Sequence, residues 1–240
     1  IQQARIGKRT AGTVVWSLER LAREDSVLAK RAIIDPVDTP QSRPTNDNST
    51  VPALMMLAAV PIVGEQGEIV GTIQAGLLLN RHNKLVDIIK DIVFQEGYYG
   101  EKPFGTVTIF LGDVRVATNV RAGDGRRAIG TRVSEEVYDR VIRRGQSWVN
   151  RAFVVDDWYL AAYEPIYDIS QNVVGILYVG LLEKPYRDMR TRTVALLLGV
   201  TAIGLILSVA LSWLLARRLA RPLHRLADAT KVLSAGDLAH

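Results

Sequence analysis

The chain has 240 residues, 48% of them hydrophobic, a mean hydropathy of +0.10 and a net charge of +5. It is long enough for one large or two small domains, and its apolar excess gathers in one late run. With no cysteine, disulfides and Cys-based zinc sites are excluded, and His82, His224 and His240 are too far apart for metal-ligand spacing, so no metal and no cofactor is expected. The basic residues cluster near Arg217 to Arg225 without a nucleic-acid motif, which suits a juxtamembrane segment and not a nucleic-acid binder.

In chain order, Ile1 to Ile34 reads as helix, with Val14, Val15, Leu18, Leu21 and Leu28 apolar. Asp35 to Thr50 is rich in Pro, Asn, Asp, Ser and Thr and reads as a loop. Two segments then echo each other. Ala58-Ala59-Val60-Pro61-Ile62 with Val70 to Leu78 returns as Ala162-Tyr163-Glu164-Pro165-Ile166 with Val174 to Leu182, at a constant offset of 104 residues. Each copy reads as an antiparallel hairpin, joined by Gly64 to Gly67 in the first and by Asp168 to Asn172 in the second.

An amphipathic helix follows the first hairpin from Asn80 to Phe94, and Gly97 to Pro103 reads as a linker. Strands are expected at Thr106–Phe110, Arg115–Val120, Gln146–Val155, Trp158–Tyr167 and Val173–Leu181. Arg121 to Gly130 is a loop. Ser134 caps a helix that runs to Arg144, with Glu135 and Glu136 in its first turn. The expected architecture is α+β, a five-stranded antiparallel sheet with one helical crossover.

Val194 to Ala216 contains no charged residue and would form a helix of about 35 Å, enough to cross a membrane. Trp213 suits an interfacial anchor, and Arg192 and Arg217 mark the edges. Beyond it, Leu219, Leu223, Leu226, Thr230 and Leu233 form one apolar helical stripe, with Pro222 near its start and Gly236-Asp237 at its end. The Arg-rich entry, Pro222-Leu223, the leucine stripe and Gly236-Asp237-Leu238 resemble the first helix of a HAMP domain. That resemblance implies a homodimer and places residues after about 216 in the cytoplasm and those before about 193 outside it. Both chain ends are expected to be cuts.

The strand order and the Gly-Leu-Leu exit toward the apolar helix, with Gly112 to Asn119, Gly130 to Ser134, Arg151-Ala152-Phe153-Val154, Trp158-Tyr159 and Ala162 to Ile166, resemble the Cache family of extracytoplasmic sensor domains, and most closely its double-Cache receptors. The resemblance implies PAS-like sheets that bind small solutes. It divides the chain into a partial membrane-distal module over 1–96, a membrane-proximal module over 97–190, a transmembrane helix over 191–216 and the start of a HAMP domain over 217–240. The chain would then be the input region of a chemotaxis transducer or a sensor histidine kinase in the plasma membrane, with any enzymatic output beyond His240.

Alternation along each strand groups Arg151 with Phe153, Tyr159 with Tyr163, and Ile176 with Tyr178. Arg151 can fork a carboxylate, while Tyr159, Tyr163, Tyr178, Trp158 and Thr118 supply donors and walls, so the candidate ligand-binding set is Thr118, Arg151, Phe153, Trp158, Tyr159, Tyr163 and Tyr178. Amino-acid-binding Cache domains carry an arginine two residues before a Trp-Tyr pair; Asp156 stands there in this chain, which points to a smaller ligand such as a short carboxylate. A module that binds a protein and no small solute is the competing reading. Asp156-Asp157 reads as a hairpin tip and not as a catalytic carboxylate pair.

Overall fold

The computed structural model describes residues 7–45, 49–94, 97–100, 102–155 and 157–234, with side chains as far as Arg218. Residues up to Lys184 form one compact unit and those from Pro185 a second.

The opening segment is not helical throughout, because Thr10–Trp16 is a strand, β1. Thr10, Thr13, Val14 and Val15 are β-branched and Gly12 weakens a helix, so local preference favours the extended form that the neighbouring strand then pairs. Ser17 ends β1 and caps α1 (Leu18–Glu24), its hydroxyl accepting from the Arg20 N–H at 3.2 Å. Asp25 caps α2 (Ser26–Ala32) through the N–H groups of Val27 and Leu28 at 2.8 and 3.0 Å. Residues 1–6 of the expected helix lie outside the described residues.

The first hairpin forms as its turn residues dictate. β2 (Ala53–Val63) and β3 (Ile69–Leu78) pair antiparallel, and β1 adds to β2 from Thr10↔Ala59 to Trp16↔Ala53. Asn80 pins the start of β2 beside β3 and the end of α2: its Oδ1 accepts from Leu54 N–H at 2.9 Å and its Nδ2 donates to the carbonyls of Ala32 and Pro52. α3 (Asn83–Val93) follows, then a short ribbon of β4 (Tyr98–Tyr99) and β5 (Lys102–Pro103).

The remaining strands are β6 (Gly105–Leu111), β7 (Val114–Thr118), β8 (Trp148–Val154), β9 (Asp157–Tyr167) and β10 (Val173–Leu182). They form the expected five-stranded antiparallel sheet, in the order β7-β6-β10-β9-β8. The crossover between β7 and β8 carries α4 (Glu135–Val137), which continues as a π-helical stretch over Tyr138–Arg143.

The repeat seen in the sequence extends to the pairing register. Met55↔Leu78, Leu57↔Gly76 and Pro61↔Thr72 become, 104 residues on, Tyr159↔Leu182, Ala161↔Gly180 and Pro165↔Ile176. A register shift falls at the corresponding end of both hairpins, beside Val63↔Ile69 and Tyr167↔Val173. The second hairpin has β6 on its far edge; among the described residues the first has no strand there.

One face of the five-stranded sheet is buried across its width, and the other is buried at β6 and β7 but exposed at β8 and β9. One face carries Phe110, Tyr159, Tyr163, Ile176 and Tyr178 against Val137 and Val141 of the crossover helix. The other carries Val107, Ile109, Leu111 and Val116 against Val86 of α3 and Ile34, Val51 and Leu54. The fold is α+β. The second unit is α5 (Lys184–Ser234), which runs unbroken through Pro222. Its Lys184–Arg218 portion is long and apolar enough to cross a membrane. The Arg217 guanidinium lies over the Trp213 ring, 3.5 Å from its centroid. Gly236, Asp237 and Leu238, expected to close the relay helix, lie outside the described residues.

Candidate functional site

Pairing across the sheet sets which side chains meet. Trp148, Tyr163, Tyr178, Thr108 and Thr118 occupy consecutive partner positions on β8, β9, β10, β6 and β7, one row running across all five strands. Along this row the Tyr163 and Tyr178 rings lie 4.7 Å apart between centroids, Trp148 meets Tyr163 edge-on at 5.4 Å, and the Thr108 and Thr118 hydroxyls are 2.6 Å apart. Tyr178 lies along the sheet because Gly180 offers no Cβ to obstruct it, and its hydroxyl meets that of Thr106 at 3.0 Å.

Arg115 enters this aromatic surface from β7. It is only 4% exposed, and its guanidinium lies 5.1 Å from the centroid of the Phe110 ring. Nη1 donates to the Thr131 hydroxyl. Nε has no hydrogen-bond partner, and among the described residues no carboxylate pairs with the group. Burial pulls its pKa below the ordinary arginine value, with Tyr163, Tyr178 and Tyr159 opposing that shift. Guanidinium is basic enough to keep its charge regardless. Burial also raises the pKa of Tyr163 and Tyr178, so both phenols stay neutral donors.

A cavity of about 230 Å³ opens beside this group, lined by Arg115, Thr131, Val133, Val154 and Tyr163 and, at its mouth, by the strap Asp38–Gln41. The strap belongs to the segment expected as a plain loop, yet it is docked across the second sheet's crossover. Val37 N–H donates to the Gly130 carbonyl at 2.9 Å, Arg132 N–H to Val37 at 3.1 Å and Glu135 N–H to Gln41 at 2.9 Å. Gly130 has φ +90° and lies where a Cβ would come within 2.6 Å of the Asp35 carbonyl oxygen, so the approach requires glycine. Asp113 anchors the strap electrostatically. It is nearly buried, accepts from Arg132 Nη1 at 2.8 Å, and takes Arg43 Nε, two residues beyond the strap, at 3.1 Å. Arg43 also lies over the Tyr138 ring at 4.4 Å.

The seven residues singled out in the sequence divide between two faces. Tyr163, Tyr178 and Thr118 share the buried row, and Tyr159 is buried on the same face. Arg151 and Trp158 lie on the opposite, outward face, where Arg151 pairs with Glu183 at 2.8 Å and lies 4.8 Å over the Trp158 ring, which is 41% exposed. Phe153 packs edge-on against Trp158 at 5.6 Å and reaches only the rim of the cavity. The guanidinium aimed inward is Arg115, which alternation along the strand does not single out. Asp156 lies outside the described residues, and Asp157 pairs with Lys102.

A family model described as single cache domain 3 matches residues 77–193. The matched stretch contains all five strands of the second sheet, the crossover and Arg115. The crystal structure of the periplasmic domain of Vibrio cholerae LuxQ is 10% identical, with a TM-score of 0.36, and the match covers 68% of this chain and 60% of that one. No curated protein matches the chain. The Cache match supports an extracytoplasmic sensor module, followed by a helix long and apolar enough to cross a membrane.

Proposed function

We propose that this chain is the sensing and membrane-crossing region of a transmembrane receptor, and that its second sheet binds a short carboxylate at Arg115. The observation that carries this reading is a buried guanidinium with an unpartnered Nε beside a cavity. Burying a charge without a counter-charge costs several kcal/mol, and an anionic ligand relieves that cost whenever it binds. A guanidinium fork fits a carboxylate, and the tyrosine-lined wall suits a short apolar tail. Asp38, the carboxylate lining the cavity, is already paired with Arg132. Among the described residues a ligand ammonium therefore has no free acid to meet there, which favours a plain carboxylate over an amino acid.

The repeated register of the two hairpins supports two copies of one module, a membrane-distal part over 1–96 and a membrane-proximal part over 97–190. In this reading β10 passes ligand-driven displacement into α5, and the helix beyond about residue 216 relays it through a HAMP-like dimer to an output domain. A chemotaxis transducer is the favoured output and a sensor histidine kinase the alternative. The outward Trp158, Phe153 and Arg151 cluster favours a second reading, a protein partner, because such residues recur as interface anchors.

The test is a thermal-shift series on the chain in detergent micelles with acetate, propionate, butyrate and the common amino acids. At about a hundred times its dissociation constant, a ligand of the folded state adds roughly 2.7 kcal/mol. A rise with a monocarboxylate that disappears in Arg115→Met supports the proposal. A rise with amino acids only, or one that survives Arg115→Met, overturns it.

A further inference from the structure

The outward side of β8 and β9 carries an apolar patch in which Val149, Phe153, Trp158 and Leu160 are all exposed. The Arg151 guanidinium lies over the Trp158 ring. On the order of a few hundred Å² of apolar surface is open, a size at which such patches are often functional. Pairing fixes where the patch sits. Phe153 pairs with Trp158, and the next residue, Tyr159, pairs with Leu182 at the end of β10. The patch is therefore level with the end of the sheet from which the chain runs on into α5. The β4–β5 ribbon belongs to the same end. Lys102 pairs with Asp157 beside Trp158, the Phe104 carbonyl accepts from Leu182 N–H at 2.8 Å, and Tyr98 is 64% exposed.

We propose that this patch docks on the phospholipid headgroups of the membrane that α5 crosses. The proposal depends on the reading of α5 as a membrane-spanning helix. Chain length names the partner. Lys184 opens α5 and the uncharged run begins at Val194, ten residues and about 15 Å of helix later. The headgroup layer itself takes up about 5–8 Å of that rise. A lipid surface therefore begins within roughly 10 Å of helix from the end of β10. Composition agrees. Tryptophan and tyrosine, with an apolar body and a polar edge, favour the membrane interface, and arginine covers apolar surface with its stem while its charge stays wet. In the intervening segment Lys184, Arg187, Arg190 and Arg192 stand against one acid, Asp188, so anionic headgroups are drawn toward this end of the sheet. A soluble protein is a poorer occupant, since it would have to share that narrow gap with the headgroups.

The test places the full chain in vesicles of phosphatidylcholine and phosphatidylglycerol and reads tryptophan emission. Trp16 and Trp148 are buried and Trp213 lies on α5, so in Trp213→Phe the exposed indole is Trp158. Its share of the emission is the difference between Trp213→Phe and the double variant Trp158→Phe/Trp213→Phe. A double variant whose remaining emission resists acrylamide is folded. Lipid carrying a nitroxide on the headgroup should lower the Trp158 share at least two-fold relative to unlabelled vesicles. A second series, with bromine on the acyl chains and Trp213 retained in Trp158→Phe, reports on α5 itself. Without quenching of Trp213 the membrane-spanning reading fails, and this proposal fails with it. With Trp213 quenched, a Trp158 share that the headgroup nitroxide leaves unchanged overturns the docking alone. If acrylamide also fails to reach that indole, a protein covers the patch instead.

Discussion

Arg115 and Thr118 are three residues apart on β7, yet both side chains face the aromatic side of the sheet. Thr118 meets Thr108 at 2.6 Å and Arg115 lies over Phe110. Strict alternation would send them to opposite faces. The register shift between Ile109 and Phe110 inserts one extra residue of β7, so that Ala117 pairs with Ile109 but Arg115 with Phe110. Such a bulge re-aims a side chain. In this sheet it turns a cation into an apolar core where its Nε has no partner.

That geometry predicts opposite effects on stability and on binding. Arg115→Met keeps the side-chain length and removes a buried, unpaired charge. The Thr131 hydroxyl remains satisfied, because it donates to the Ala128 carbonyl at 2.8 Å. The ligand-free chain is expected to gain roughly 1–3 kcal/mol. Its melting temperature should rise by several degrees, while the shift caused by a carboxylate disappears. A large fall in the ligand-free melting temperature would show that the guanidinium is structural.

The sequence reading fails where the same bulge acts. The two hairpins, the five strands and the apolar helix were legible because alternation, turn residues and an uncharged run are local signals. The side to which Arg115 points depends on one inserted residue, and no local signal carries that. Arg151 illustrates the companion limit: parity within β8 groups it correctly with Phe153, but the pairing Ala152↔Tyr159 places both on the face opposite the tyrosines. The strand β1 was hidden because Val14, Val15, Leu18 and Leu21 also fit a helical stripe. The strap across the crossover follows from tertiary contacts alone.

Arg151 supplies the control for Arg115. Its side chain is half exposed and its ion pair with Glu183 lies on the surface. Arg151→Ala should cost under about 1 kcal/mol and leave the carboxylate-induced shift intact. Titration calorimetry of the variant checks this. Loss of binding in Arg151→Ala with retention in Arg115→Met would move the site to the outward face.

Alkaline pH should weaken the fold through Tyr163 and Tyr178. Burial raises both above the ordinary value of 10.0. As pH passes 10, the unfolded chain releases these protons and the folded chain retains them. Stability therefore falls with rising pH, by about 1.4 kcal/mol per pH unit for each group. It is fully present below pH 10. Urea unfolding between pH 8 and 11 should show the slope begin near 10 and become shallower in Tyr163→Phe. An unchanged slope in that variant would mean that other groups cause the loss.

The strap should gate exchange at the cavity, and its anchor allows stability and gating to be separated. Asp113 holds both Arg132, which is nearly buried, and Arg43, which is partly exposed. Asp113→Ala leaves the buried Arg132 guanidinium with only the exposed Asp38 and should cost about 3 kcal/mol. Arg43→Ala removes only the outer contact and its stacking over Tyr138, so Arg132 remains paired with Asp113 and Asp38. That variant should lose about 1 kcal/mol or less in stability. With the strap less firmly held over the mouth, the bound carboxylate should leave several-fold faster, with most of the affinity loss in the off-rate. Surface plasmon resonance or NMR exchange on the Arg43→Ala chain measures this directly. An unchanged off-rate would show that the ligand enters and leaves by a route that does not pass under residues 38–41.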